Sequence, residues 1–506
     1  MQREYWAATT TNQDVFRGNS PFIAIAPPYR LLIIGYILLY QIFVPGLSMI
    51  LHGTSGGLQE ARFLVESVYQ ILLLLPLLFY RPSYGWLHPL IFGPLFILAN
   101  GIVRDPDRLL APLLLFSESF HGELSHIALG GWSEDAVAWA VLKAKLIAVV
   151  ALVVYYCGFF STLHPRIPRL AFPQPSSLVP KALTVIVFSA VVFVVYMQLQ
   201  GGINAHMSSW QSGRFEALAG DGPIFVLIQA GLMATLVWVA LDGTAYHNPL
   251  FWVAVLFTVP VGFFVTGSRS GVFYSFVLFL MVWMIRHKKI PQGRIIALGM
   301  AAFILIGTLG AVRKSTFRGE VDWIALADFN LEEMIERTTL DLEARAATSG
   351  DLPVIARVPD EVDLLYGQSY VSALLFFIPR ALWLDKPRGA GALNGRINFG
   401  HTTGGVPVGA VTEAYWNFHI PGVVVIFFLY GLFHRWLAEM FILYAHRPAM
   451  WVLYVLTLFS FVPNSISLVV YFQRMIPTVA LLYWMGAFSF DKRSSNVYFP
   501  VGTSVR

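Results

Sequence analysis

Residues 222–241 read GPIFVLIQAGLMATLVWVAL, a run of twenty residues without a charged side chain. An α-helix rises roughly 1.5 Å per residue, so about 20 apolar residues are enough to cross the hydrocarbon core of a bilayer. The stretch therefore predicts a membrane-spanning helix. Comparable runs occur on both sides of it along the chain.

The composition of the whole 506-residue chain agrees with this prediction. It is 57% hydrophobic and only 12% charged, whereas a soluble domain has about 25% charged residues. We predict an all-α polytopic membrane protein in which residues 1–506 form a single membrane domain. The twelve predicted spans are 31–50, 63–80, 86–103, 137–160, 181–200, 222–241, 249–265, 270–285, 295–311, 420–436, 449–465 and 474–490.

The orientation follows from the basic turn after the eighth predicted span, which holds Arg286, Lys288, Lys289 and Arg294. Short loops rich in Lys and Arg stay in the cytoplasm. An even number of spans then predicts that both termini are cytoplasmic and that residues 312–412 form a large external loop. The net charge of +5 reflects this bias, and no basic–aromatic stripe indicates a nucleic-acid partner.

The predicted external loop has two parts of opposite charge. Residues 313–372 hold six basic and twelve acidic residues, with an amphipathic helix predicted from about Asn330, where Glu333 completes a capping box. The second part, 373–412, is basic and rich in glycine. Its glycines predict a loose loop whose backbone N–H groups face a ligand. The apolar stretch SALLFFIP predicts a re-entrant or interfacial helix.

Arginines at the predicted external face are candidates for binding phosphate. The planar guanidinium donates two parallel hydrogen bonds and keeps its charge. Arg269, in VTGSRSGVF, has small polar neighbours and no acid between Asp242 and Glu320. The alternative is that each arginine pairs with a local acid or reaches lipid headgroups. The candidates are Arg214, Arg269, Arg313, Arg380 and Arg388.

Glu413, in GAVTEAYWNF, is the acid best placed for catalysis, at the external mouth of the tenth predicted span. Partial desolvation favours a general base there. Tyr415 and Trp416 are candidates for stacking on sugar rings, and Asn417 for hydrogen bonds to hydroxyls. The alternative is an interfacial aromatic belt with a carboxylate paired to an arginine.

Arg396 and His401 are two further candidates for glycan contacts within the same loop. No HExxH or comparable spacing predicts a metal site, and no cofactor is expected. The chain's one cysteine, Cys157, excludes an internal disulfide and a multi-cysteine metal site, and we expect it to be buried.

Three motifs carry a family resemblance: VTGSRSGVF, IPRALWLDKPRG and GVPVGAVTEAYWNFHIPG. They make the second half of the chain resemble the O-antigen polymerase family, the oligosaccharide repeat-unit polymerases of bacterial surface polysaccharide pathways. PR-x-lW-x-x-KP, a GSR at a helix start and E-x-Y-x-N-F-x-x-xG recur in that family. The first half resembles it in hydropathy and in Arg214 before a span. His419 stands where a glycine is usual.

The resemblance implies a metal-independent, GT-C-like glycosyltransferase of the bacterial inner membrane with a periplasmic active site. It implies a growing glycan on undecaprenyl pyrophosphate as donor, a lipid-linked repeat unit as acceptor, and a chain-length regulator protein as a partner. The five arginines would then bind pyrophosphate. An O-antigen ligase, which moves the glycan to a lipid A core, shares this architecture. A lipid-linked-oligosaccharide transporter is a third alternative.

Overall fold

The structure is a computed structural model, and the residues that it describes are mostly α-helical. It describes residues 20–52, 57–104, 132–163, 166–209, 221–267, 269–291, 293, 350–378, 382–383, 385–400, 405–462, 465–466 and 468–490. The helices of the first half are α1 Pro27–Tyr36, α2 Val44–His52, α3 Gly57–Leu78, α4 Pro89–Arg104, α5 Glu134–Phe160, α6 Leu178–Leu199, α7 Ile203–Ser209 and α8 Gly222–Leu241. Ile37–Phe43 joins α1 to α2 as a π-helical stretch.

The second half begins with a 3-10 turn at Ala245–His247. Its helices are α9 Pro249–Thr266, α10 Arg269–His287, α11 Asp351–Arg357, α12 Gln368–Leu374, α13 Ala390–Phe399, α14 Ala410–Tyr444, α15 Pro448–Ser460 and α16 Leu468–Trp484. Four two-residue strands pair antiparallel: β1 Leu170–Ala171 with β4 Ser489–Phe490, and β2 Phe461–Val462 with β3 Ser465–Ile466.

The membrane character predicted from the sequence is confirmed by the helices. Among the described residues, six helices are long and apolar enough to cross a membrane, and five further apolar helices are shorter. These eleven helices overlap eleven of the twelve predicted spans, some with shifted ends, and the ninth, 295–311, lies outside the described residues. The six are Pro27–Leu51, Gly57–Leu78, Asp135–Phe159, Leu178–Leu199, Gly222–Leu241 and Ala410–Tyr444.

Helices α5 and α14 cross with their backbones in close contact. A Cβ on Gly431 would overlap the carbonyl oxygen of Tyr155 and would lie 2.6 Å from the backbone N of Phe159. Gly158 faces the backbone of α14 in the same way. Because lipid gives apolar helices little reason to associate, small residues that admit close backbone contact are how such helices pack.

Hydrogen bonds reinforce this crossing. His434 on α14 bonds the Tyr155 hydroxyl of α5 through Nδ1 at 2.8 Å and the Phe461 carbonyl through Nε2 at 2.8 Å. Both side chains are fully buried. The two contacts use both ring nitrogens, so the buried imidazole has all its hydrogen-bonding capacity filled.

Helix α14 connects the two large hydrophobic cores. Its first half, with Trp416 and Phe427, packs with α3, α4, α5 and α11. Its second half, with Phe441, packs with α8, α9, α10, α15 and α16 around Trp238. The long helix therefore fixes the position of the 350–409 region relative to the rest of the bundle.

One prediction about packing is wrong. Cys157 is exposed, not buried, although it lies in the last turn of the apolar helix α5. The helix is apolar around its whole circumference, so hydropathy does not distinguish the face that contacts other helices from the face that contacts the membrane.

Candidate active site at the start of helix α14

Helix α14 begins at Ala410, ten residues before the predicted span, so Glu413 lies within a helix. The helix is broken at Phe418, with φ −143°, and at His419, with φ 55° and ψ −152°. Pro421 follows; it has no N–H and excludes the normal bond to the residue four positions earlier. The break separates a short first section carrying Glu413 from the long apolar section.

The carbonyl groups freed by this break have partners from the 350–400 region. Leu365 N–H donates to the Trp416 carbonyl at 3.0 Å, and Tyr366 N–H donates to the Asn417 carbonyl at 3.0 Å. A kink at membrane depth is tolerated only where neighbouring groups satisfy the backbone. The segment before α12 therefore stabilises the bent start of α14.

Glu413 is partly buried and belongs to a network of three side chains. The Ser369 hydroxyl hydrogen-bonds the Glu413 carboxylate. Asn417 Nδ2 donates to Ser369 Oγ at 2.8 Å and to the Glu413 carbonyl at 2.8 Å, while Asn417 Oδ1 accepts from Gly367 N–H at 2.9 Å. Since Ser369 and Asn417 are buried, the network holds the carboxylate in a defined position.

The Tyr370 phenol lies close enough to the Glu413 carboxylate to interact with it electrostatically. Burial raises the pKa of the Tyr370 phenol above its ordinary value, and the nearby negative charge of Glu413 raises that pKa further. Tyr370 therefore stays protonated at neutral pH. A neutral phenol and a carboxylate together can hold a sugar hydroxyl and accept its proton.

Tyr415 and Trp416 are fully buried. The Tyr415 hydroxyl donates to the Val358 carbonyl at 3.0 Å and bonds His419 Nε2 at 2.9 Å, and Trp416 Nε1 donates to the Asp363 carbonyl at 3.1 Å. These contacts fasten the 358–363 turn to α14. The predicted stacking of the two rings on sugar stays a prediction, and in this structure neither ring presents a free face.

The predicted loose glycine-rich loop is wrong over most of its described length. Residues 390–399 form α13, which ends at Gly400 with φ 65°, a conformation that glycine adopts without strain. The buried Asn394 donates to the carbonyls of Gly350 at 3.0 Å and Val406 at 3.1 Å. These bonds between distant segments, which spacing alone does not predict, make the stretch ordered.

The apolar stretch SALLFFIP is helical only at its beginning. Helix α12 ends at Leu374, and the chain turns at 375–378. Leu374 and Phe377 are exposed. The predicted amphipathic helix at residues 330–345, and the whole of 312–349, lie outside the described residues.

The arginine candidates are described only in part. Arg388 is partly buried just before α13, and Arg396 is exposed in its last turn. Arg269 is the first residue of α10, which agrees with a GSR at a helix start. Arg214, Arg313, Arg380, His401 and the side chain of Arg269 lie outside what the structure describes.

Several residues at this site were not predicted. Ser369 and Tyr370 lie more than 40 residues from Glu413, and no local pattern links them. Lys143 is different, because a charge inside an apolar helix is itself a signal. Its Nζ donates to the Val358 carbonyl at 3.2 Å and lies 5.3 Å from the centre of the Tyr415 ring, so it supports the same turn.

Within the described residues, no group of three His, Cys, Asp or Glu side chains is arranged to hold a metal ion. The chain matches no protein-family model, no curated protein sequence and no solved structure.

Proposed function

We propose that the protein polymerises oligosaccharide repeat units carried on undecaprenyl pyrophosphate. The growing glycan is the donor, and the non-reducing-end sugar of a new lipid-linked repeat is the acceptor. The observation that carries the proposal is Glu413, an acid held by Ser369 and Asn417 at the start of a long apolar helix. A carboxylate at such a boundary can meet a sugar whose lipid carrier stays in the membrane.

The reaction assigned to this site is a displacement at the anomeric carbon of the donor. Glu413 accepts the proton of the acceptor hydroxyl, whose oxygen forms the new glycosidic bond. The bond between the anomeric carbon and pyrophosphate breaks, and undecaprenyl pyrophosphate leaves with the electron pair. Preorganised positive charge stabilises such a leaving group without a metal. The residues proposed for this are Arg214, Arg269, Arg313, Arg380 and Arg388.

The proposal includes the finer expectations from the sequence. These are twelve spans, a GT-C-like arrangement, a periplasmic site in the bacterial inner membrane, cytoplasmic termini, and a chain-length regulator as partner. In this proposal Tyr415 and Trp416 position the site through the turn that they contact, and Asn417 positions it through Ser369 and Gly367. Contacts of Arg396 and His401 with glycan belong to the same proposal.

The decisive experiment mixes the purified full-length protein with a lipid-linked repeat unit. A ladder of longer lipid-linked glycans on a gel is the expected result, unchanged by EDTA. A second reaction supplies lipid A core as an additional acceptor. Transfer to that core without a ladder would identify a ligase, and accumulation of neither product would contradict the proposal.

A further inference from the structure

Arg474 is a buried cation without a partner. It lies on α16, its side chain is 5% exposed, and its Nε has no hydrogen-bond partner. It is the only buried arginine among the residues that the structure describes. Two partly buried arginines there do have acceptors: Arg286 donates to two backbone carbonyls at the end of α8, and Arg435 pairs with Glu439 at 2.9 Å.

An unpaired buried charge is strongly unfavourable in a protein and more so at membrane depth. An apolar residue of the same size would make the unliganded protein more stable. The phenol of Tyr274 does not compensate the charge of Arg474. Tyr274 of α10 is its electrostatic neighbour, and a phenol hydroxyl does not neutralise a guanidinium.

Arg474 is connected to the candidate active site through helix α12. It lies six residues, or roughly 9 Å, from the start of α16. Phe472, two residues earlier, stacks in parallel on Phe376, with ring centres 6.1 Å apart. Phe376 lies two residues beyond the end of α12, the helix that holds Ser369 and Tyr370 beside Glu413. Helix α12 therefore packs against both α14 and α16.

We propose that Arg474 binds a phosphate group of a lipid. The guanidinium fork matches two phosphate oxygens, and a bound phosphate removes the cost of the unpaired charge. Val470, one helical turn before Arg474 and on the same side of α16, is exposed, so it offers apolar surface against which a lipid chain can lie. If the lipid is the prenyl pyrophosphate substrate, the inference rests on the proposed function; for a phospholipid headgroup it does not.

The test measures the melting temperature of the purified full-length protein in detergent, alone and with three probes. The probes are undecaprenyl pyrophosphate, phosphatidylglycerol and inorganic pyrophosphate. For the wild type we expect one of the two lipids to raise the melting temperature. The Arg474→Met variant should be at least as stable without lipid and should bind that lipid about 10- to 100-fold more weakly. Arg435→Met, which removes an arginine that has its own partner, should keep the wild-type affinity.

The probes separate the sources of phosphate. An effect of undecaprenyl pyrophosphate alone supports a substrate site, and an equal effect of phosphatidylglycerol supports a headgroup site. Unchanged lipid affinity of Arg474→Met would overturn the inference. If Arg474→Met does not fold, the lipid affinity of Arg474→Lys is measured instead. Lysine is a point charge that cannot make the two parallel bonds, so this variant should bind the lipid about tenfold more weakly. If lipid binding depends on Arg474 but the protein forms no glycan ladder, the polymerase proposal fails and the Arg474 inference stands.

Discussion

Asn417 and Ser369 are 48 residues apart in the chain and are joined by a buried hydrogen bond of 2.8 Å. The bond connects helix α14, which carries Glu413, to helix α12. Ser369 in turn hydrogen-bonds the Glu413 carboxylate. The orientation of the candidate catalytic acid thus depends on a contact between two distant parts of the chain.

Replacing Asn417 by alanine should weaken both stability and activity. The change removes three hydrogen bonds and leaves the Gly367 N–H buried without an acceptor. We expect a loss of about 2–4 kcal/mol in the free energy of unfolding, measured by denaturation in detergent. Ser369→Ala, which removes a single hydroxyl, should cost less. Equal stability of Asn417→Ala and the wild type would show that the network does not hold this site.

Glu413→Gln should fold, insert and bind lipid-linked glycan but lose polymerisation. The amide keeps the shape of the side chain but cannot accept the proton of the acceptor, and loss of a general base costs about 10²–10⁴ in rate. Binding and rate are measured separately on the purified variant. If donor affinity falls with the rate, Glu413 acts by orienting an arginine. A wild-type rate would remove Glu413 from the mechanism and direct attention to His401 or His419.

His419→Gly should stabilise the protein. With φ 55° and ψ −152°, His419 adopts a backbone conformation that is nearly restricted to glycine and costs other residues about 1–3 kcal/mol. The loss of its bond to the Tyr415 hydroxyl offsets about 1 kcal/mol of that gain. His419→Ala is the matched control, because it loses the same bond and keeps the strain. A lower melting temperature for the glycine variant than for the alanine variant would contradict the strain argument.

Gly431→Ala should separate α5 from α14. The added Cβ would overlap the backbone of α5 at Tyr155 and Phe159, and overpacking of this kind costs about 3 kcal/mol. Gly262→Ala is the control, because its Cβ would meet no atom within 4 Å. The melting temperature of each variant in detergent is the readout. Similar values for the two variants would mean that the crossing can widen without loss.

Arg269→Lys should lose most of its polymerase activity although the charge is kept. Lysine is a point charge and cannot make two parallel bonds to a phosphate, so we expect at least a tenfold fall in rate. Arg269→Ala should lower the rate by no more than about another order of magnitude. Rates come from the same ladder assay. Near-normal activity of the lysine variant would show that Arg269 supplies only general positive charge.

The sequence by itself determined the class of fold and the candidate catalytic acid. Long apolar runs specify helices and membrane insertion through local properties, so their places could be read without any knowledge of packing. Glu413 stood out for the same local reason, as an acid beside an apolar run.

Only the tertiary structure decided which groups surround that acid. Ser369 lies next to Glu413 because Leu365 and Tyr366 cap the broken start of α14, and this pairing depends on contacts about 50 residues apart. Long-range hydrogen bonds likewise fixed the glycine-rich stretch as α13. Helix packing, which hydropathy along one helix cannot specify, decided three further properties. These are the burial of Tyr415 and Trp416, the exposure of Cys157 and the unpaired state of Arg474.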